Sequence, residues 1–153
     1  MSQWLRDLTA GPLRYEGFEI AHGAPFDEDE YLVSDTDVEG LDAALVRPIC
    51  FVGHTHVQRA WQWTGSGVYR LAAPDRRSRE TVIQLEPETL YLVNPGSVGQ
   101  PRDRDARAGY ALWDDEARTL ALRRVRYDVA GAQARIARAG LPDWLAVRLG
   151  EGR

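Results

Sequence analysis

The stretch FVGHTHVQRA, residues 51 to 60, holds two of the chain's three histidines, His54 and His56, one residue apart behind Gly53. Neutral imidazole suits Zn, Mn, Fe or Ni, whereas Mg and Ca prefer oxygen donors. Two imidazoles at this spacing can address two ions about 3.5–4 Å apart, the separation used in two-metal hydrolysis. Histidine pairs also occur as structural or surface residues, so the spacing alone leaves both readings open. Three details favour a metal. The pair follows ICFV, a continuous apolar run that reads as a strand covered on both faces, and α/β folds place their sites just past strand ends. Gly53 lets the backbone approach a ligand closely. The third histidine, His22, also ends a strand-like stretch and precedes a glycine, in IAHGAP. Three imidazoles without a carboxylate make a poor two-metal site, because nothing bridges the ions or offsets their charge.

The elements that must position these residues are mixed. Residues 1–10 read as the end of a helix with Trp4, Leu5 and Leu8 on one face, broken by Gly11-Pro12. LRYEGFEIAHG alternates around Gly17 like a hairpin whose second arm ends at His22. FDEDEYLV reads as a solvated acidic loop and helix start, and VEGLDAALV as a weak helix. VQRAWQW alternates, placing Trp61 and Trp63 on one side, either as a stacking surface for a base or buried. VYRLA, TVIQLE and LYLVN are strand-like. GYALWDDEARTLALRRV reads as a hairpin turning at Asp114-Asp115-Glu116. Asp128 can cap a helix running to Ala139 and ended by Gly140, with a short helical turn from Pro142 to Leu149. The class is α+β, richer in strands than in helices.

The 153 residues form one domain, 1–153, long enough to bury a core. A net charge of −4 argues against a surface that coats DNA. No apolar run approaches the roughly 20 residues of a membrane helix. The N-terminus lacks the apolar stretch of a signal peptide. The single cysteine, Cys50, reads as a small core residue; with no internal disulfide possible, it suits a cytoplasmic address. All basic residues are arginine, as a GC-rich genome favours, and the DRRSR run from Asp75 to Arg79 reads as a solvated loop.

CFVGHTHV, IAHGAP and YLVNPGSVGQPRD together resemble the later motifs of the calcineurin-like metallophosphoesterases, in their compact bacterial and archaeal branch. The ending YDVAGAQARIARAGLPDWLAVRLGEG resembles that branch's closing helix, so the likeness covers nearly the whole chain. It implies the C-terminal part of an α/β/β/α sandwich, mainly one mixed or antiparallel sheet with flanking helices, and two divalent ions, Mn, Fe, Ni or Zn, in the complete enzyme, bound partially or weakly here. It further implies that His22 and His54 hold one ion, that His56 holds the other, and that His54 and His56 serve catalysis. A metal-activated water would attack a phosphodiester or phosphomonoester, so the implied partner is a phosphate-ester small molecule or a nucleotide. Ser97 and Arg102, in the NPGSVGQPRD turn, would lie beside the ions and meet phosphate; the turn equally serves to join two strands.

The family's earlier motifs, Asp-x-His, a Gly-Asp whose aspartate bridges the ions, and Gly-Asn-His, are missing. Asn94 is the only asparagine, no Gly-Asp dipeptide occurs, and the residues two before each histidine are Ile20, Val52 and His54. The chain therefore reads as the C-terminal portion of such a domain, inactive or nearly so alone. It is expected to associate with the missing N-terminal half or with copies of itself. The alternative is a non-catalytic, degenerate module that completes a site with a partner chain. Asp27, Glu28, Asp29, Glu30, Asp35 and Asp37 follow His22 but read as solvated acids rather than as a replacement bridge.

Overall fold

A computed structural model describes residues 3–9 and 11–153; residues 1, 2 and 10 of the expected first helix, and the Leu5 side chain, lie outside that description. The helix itself spans only Gln3–Arg6 (α1), and Trp4 and Leu8 are solvent-exposed. The expected hairpin forms from β1 (Leu13–Arg14) and β2 (Phe18–Ile20), paired antiparallel. Segment 21–48 then crosses to β3 (Ile49–Phe51) without an α-helix. The expected weak helix is a 3₁₀ turn, Leu41–Ala44, entered through left-handed Gly40 at φ 74°. With Gly40 before it and Pro48 soon after, too few residues remain to repay α-helix nucleation.

The strands after the histidines are β4 (Arg59–Thr64), β5 (Gly67–Arg70), β6 (Glu80–Gln84), β7 (Leu90–Asn94), β8 (Ala108–Asp114) and β9 (Thr119–Val125). They divide between two sheets. The larger has the order β1-β2-β3-β7-β4-β5, with β2, β3 and β7 parallel and its other pairings antiparallel. The smaller is antiparallel, in the order β6-β9-β8. Two helices close the chain, α2 (Val129–Arg138) and α3 (Asp143–Glu151). Asp128 caps α2 as its sequence position suggests, its Oδ1 accepting the Gly131 N–H at 2.8 Å. The last helix runs further than the short turn expected there.

Strand alternation sorts the core into two layers. Cys50, Trp61, Trp63 and Leu92 face one side of the large sheet, where Leu32, Val38 and Leu41 of the crossover cover them. Ile49, Ala60, Tyr91 and Val93 face the other side and meet Leu120 and Leu122 of the small sheet. The apolar run at β3 is therefore covered on both faces, as parallel strands require. That cover comes from within the chain, from the crossover on one face and the small sheet on the other. Trp61 and Trp63 are core residues, and the Trp61 indole N–H donates to Asp35 Oδ1 at 2.8 Å. No helix among the described residues is long and apolar enough to cross a membrane.

Cys50 sits in this core with no exposed surface. Burial, and secondarily the negative charge of Glu19, push its thiol up to about 12. The thiolate is the reactive form. The folded chain should therefore leave a chromogenic disulfide reagent unreacted at pH 8, with full reaction only on adding urea. An unfolded thiol ionises near pH 9 while the folded one keeps its proton. The contribution of Cys50 to stability is thus constant below that pH and is lost as pH rises toward 12. Rapid labelling without urea would refute the burial.

Candidate functional site

The parallel trio β2, β3 and β7 brings three strand ends to one edge of the sheet. Ile20 pairs with Phe51, and Phe51 with Val93. The pairing continues past the strands: the Ala21 N–H donates to Phe51 O, the Gly53 N–H to His22 O at 2.8 Å, and the Val52 N–H to Val93 O. Two residues beyond Ile20 comes His22, and three beyond Phe51 comes His54. Register alone thus sets these two imidazoles side by side. His22 Nε2 and His54 Nδ1 lie 2.9 Å apart, with the rings inclined at 70°. The Tyr31 ring packs against His54 at a centroid distance of 4.2 Å.

The loop that carries the pair is bent sharply. His54 and His56 both hold left-handed backbone, at φ 59° and 60°. For residues with a Cβ, such conformations cost on the order of 1 kcal/mol each and persist where the surroundings dictate them. Asn94, at the end of β7 and without exposed surface, supplies that dictation. Its Nδ2 donates to Gly53 O at 2.7 Å and to Thr55 Oγ1 at 2.9 Å, and its Oδ1 accepts the Gly96 N–H at 2.9 Å. Gly23, beside His22, has a different necessity. A Cβ there would lie 2.6 to 2.9 Å from the carbonyl oxygens of Glu28, Glu30 and Asp27. The acidic loop can fold back on the His22 backbone only over a glycine.

His56 is oriented by the NPGSVGQPRD turn. Its Nδ1 lies 2.9 Å from the Gln100 carbonyl oxygen, which can only accept. The proton is therefore on Nδ1, and Nε2 presents a lone pair, the arrangement that second-sphere carbonyls impose on ligating histidines. Burial holds the His56 pKa below the ordinary histidine value, more strongly than the Gln100 contact raises it; the charges of Arg102, His54 and Arg148 add to the lowering. The ring is thus kept in its neutral, ligating form. The Arg102 N–H donates to His56 O at 3.1 Å, and its guanidinium Nε and Nη2 grip Gln100 Oε1. Ser97 Oγ accepts the N–H groups of Gly99 and Gln100, so it helps shape the turn.

Ligands about 2.1 Å from one ion and at right angles lie about 3.0 Å apart. The His22–His54 separation therefore fits one edge of a coordination sphere as well as it fits a hydrogen bond. The buried His54 Nε2 has no hydrogen-bond partner. That atom is left over whichever role Nδ1 plays. The sphere is not closed, however. Among the described residues no three His, Cys, Asp or Glu side chains are gathered to hold an ion. The acids after His22 are engaged locally. Asp27 Oδ1 accepts the Asp29 N–H, Asp37 Oδ2 accepts the N–H groups of Val33 and Ser34, and Asp35 holds Trp61 and Arg70. Asp27, Glu28, Asp29, Glu30 and Asp37 are also solvent-exposed. His22 and His54 thus converge, and His56 is engaged through Nδ1 by Gln100. Asn94 and Gln100, which hold their loops, were not singled out by sequence as site residues. The one available signal was Asn94's place as the only asparagine, at the end of an apolar strand.

No family model matches the chain. It is 36% identical over 105 residues to an uncharacterized protein, MJ0912, of Methanocaldococcus jannaschii, a match that covers 69% of this chain and 40% of that protein. The crystal structure of a metallophosphoesterase from Sphaerobacter thermophilus superposes with a TM-score of 0.81 at 31% identity, over 99% of this chain and 60% of that one. A hypothetical protein, PH1004, of Pyrococcus horikoshii OT3 superposes with a TM-score of 0.62 at 19% identity, a likeness of fold, over 89% of this chain and 46% of that one. The chain therefore spans between 40% and 60% of the length of these proteins.

Proposed function

The chain has part of the calcineurin-like metallophosphoesterase fold, and from that premise we propose that it supplies the later histidines of a metal-dependent phosphoesterase centre. His22 and His54 would hold one divalent ion, and His56 another. The observation that carries the reading is the approach of His22 Nε2 to His54 Nδ1, at the edge where three parallel strands end. Its support is the His56 tautomer, which leaves Nε2 free beside the same loop. When bound, the ions would polarise phosphate oxygens and supply a hydroxide near neutral pH. The chain's own groups do the rest. Gln100 fixes the His56 ring, Asn94 fixes the loop between the histidines, and Arg102 keeps Nη1 donors for a phosphate oxygen while Nε and Nη2 hold Gln100. Ser97 shapes that turn and retains its hydroxyl proton for donation. The substrate class is a phosphodiester, a phosphomonoester or a nucleotide.

A second reading has its own support. Among the described residues no three His, Cys, Asp or Glu side chains gather to hold an ion, so on this reading the polypeptide by itself would be a half-site. Its partner would be the segment or chain that carries the bridging carboxylate; without one it is a non-catalytic module. The test is hydrolysis of an aryl phosphodiester with added Mn. The 153-residue chain is compared with the same chain joined to, or mixed with, a segment bearing Asp-x-His, Gly-Asp and Gly-Asn-His. The expected result is background rates for the short chain and turnover for the completed one. Background rates in both would leave the module reading standing, while robust turnover by the short chain would sink the half-site argument.

A further inference from the structure

We infer that a cavity of about 410 Å³ walled by six arginines binds an anion of linked phosphates, either the polyphosphate of a nucleotide or a free polyphosphate. The six are Arg76, Arg77 and Arg79 from the loop before β6, Arg107 just before β8, Arg124 on β9, and Arg126 just after it. The sequence reading of this loop was a solvated charged turn. The fold instead closes it over the end of the small sheet.

Two of the arginines are structural. Arg107 pairs with Asp105 and brackets the loop, with Nη1 donating to Ser78 O at 2.6 Å and Nη2 to Asp75 O at 2.7 Å. Arg124 is buried and pairs with Asp103, yet its Nε has no partner. The other four, Arg76, Arg77, Arg79 and Arg126, form no ion pair among the described residues; Arg76 donates only to Arg104 O. Four guanidinium groups outside any ion pair gather at one opening and repel one another. The chain as a whole is negative, so this gathering is not the consequence of a basic composition. What relieves the repulsion is a compact anion of several charges. Guanidinium forks match phosphate oxygens two at a time. A nucleic-acid backbone would instead call for a basic stripe along the surface. The cavity contains no histidine. Its links to the segment after the histidines run through Asp103, which accepts the Gln58 N–H at 3.1 Å as well as pairing with Arg124, and through Gln58 Nε2, which donates to Arg123 O. The inference therefore stands independently of any metal.

The experiment is calorimetric titration of the 153-residue chain in EDTA with tripolyphosphate, pyrophosphate, orthophosphate, ADP and a single-stranded oligonucleotide. Tripolyphosphate should bind at least tenfold tighter than orthophosphate. The exposed pair Arg77→Gln/Arg126→Gln should weaken it at least tenfold, and Arg79→Gln alone should weaken it measurably. The charge-matched pair Arg135→Gln/Arg138→Gln on α2 should leave it unchanged. ADP binding tighter than pyrophosphate would assign the ligand to a nucleotide; equal binding would assign it to free polyphosphate. Absence of tripolyphosphate binding, binding that survives the loss of Arg77, Arg79 and Arg126, or a preference for the oligonucleotide would overturn the assignment.

Discussion

In the chain completed with the missing carboxylates, His54→Ala is expected to lower Mn-dependent phosphodiester turnover by about a hundredfold or more, about 2.7 kcal/mol at 1.36 kcal/mol per decade. Loss of a group that merely orients a ligand typically costs about 10–100-fold, so loss of the ligand itself should reach or pass that range. His54 Nδ1 and His22 Nε2 converge at the strand ends, and removing His54 breaks that pair. A second variant separates ligation from folding. His54 holds φ 59°, a conformation glycine adopts without strain. His54→Gly should lose turnover as fully as His54→Ala while keeping the cooperative urea transition of the parent. Turnover retained within a few-fold in both variants would remove His54 from the site.

Asn94→Leu should destabilise the 153-residue chain by about 3 kcal/mol in urea unfolding. The substitution keeps approximate volume but strips three hydrogen bonds from a fully buried position. Each buried group left unpaired costs about 1–3 kcal/mol. The Gly96 N–H is stranded outright, while the Gly53 carbonyl keeps only the Thr55 N–H and the Thr55 hydroxyl only the Val57 N–H. Asn94→Asp keeps the bond from Gly96 and loses two, so it should fall between parent and leucine. Because Gly53 and Thr55 flank His54, both variants should also weaken metal binding by the histidine loop. A leucine variant within about 1 kcal/mol of the parent would show that the left-handed turns are held by something other than Asn94.

Much of this was legible in the sequence, for reasons that differ by element. Apolar runs bounded by turn residues marked β3 and β7, and alternation marked β8 and β9, because burial on one or both faces writes itself into hydrophobic period. Asp128 marked its helix because a cap is a local interaction. The histidines were legible as strand-end residues. What the sequence did not show is set by contacts between distant segments. Asn94 and Gln100 became site residues only when β7 and the turn after it folded beside the His54 loop. Which strands go to which of the two sheets was likewise hidden, because β6 alternates like any strand and nothing local says that it pairs with β9 rather than with β5. Trp61 and Trp63 had two readings until the crossover was seen lying over them. The arginine cavity was hidden for the same reason. A charged loop looks solvated until it is bracketed by an arginine more than two dozen residues further along.

The parallel alignment of β2 with β3 also makes the histidine pair a gauge of the sheet. His22 and His54 meet because Ile20 stands opposite Phe51. A slip of one residue along that ladder would turn the His22 side chain to the opposite face of the sheet. The strands are only three residues long and are joined by a crossover without an α-helix. Their alignment is therefore among the last things that local preferences could secure. The imidazole resonances of His22 and His54 thus report whether the long-range pairing has formed, separately from the local hairpin of β8 and β9. A chain whose hairpins persist in mild denaturant while this pair has separated would be one in which the two halves of the sandwich come apart in sequence, the parallel half first.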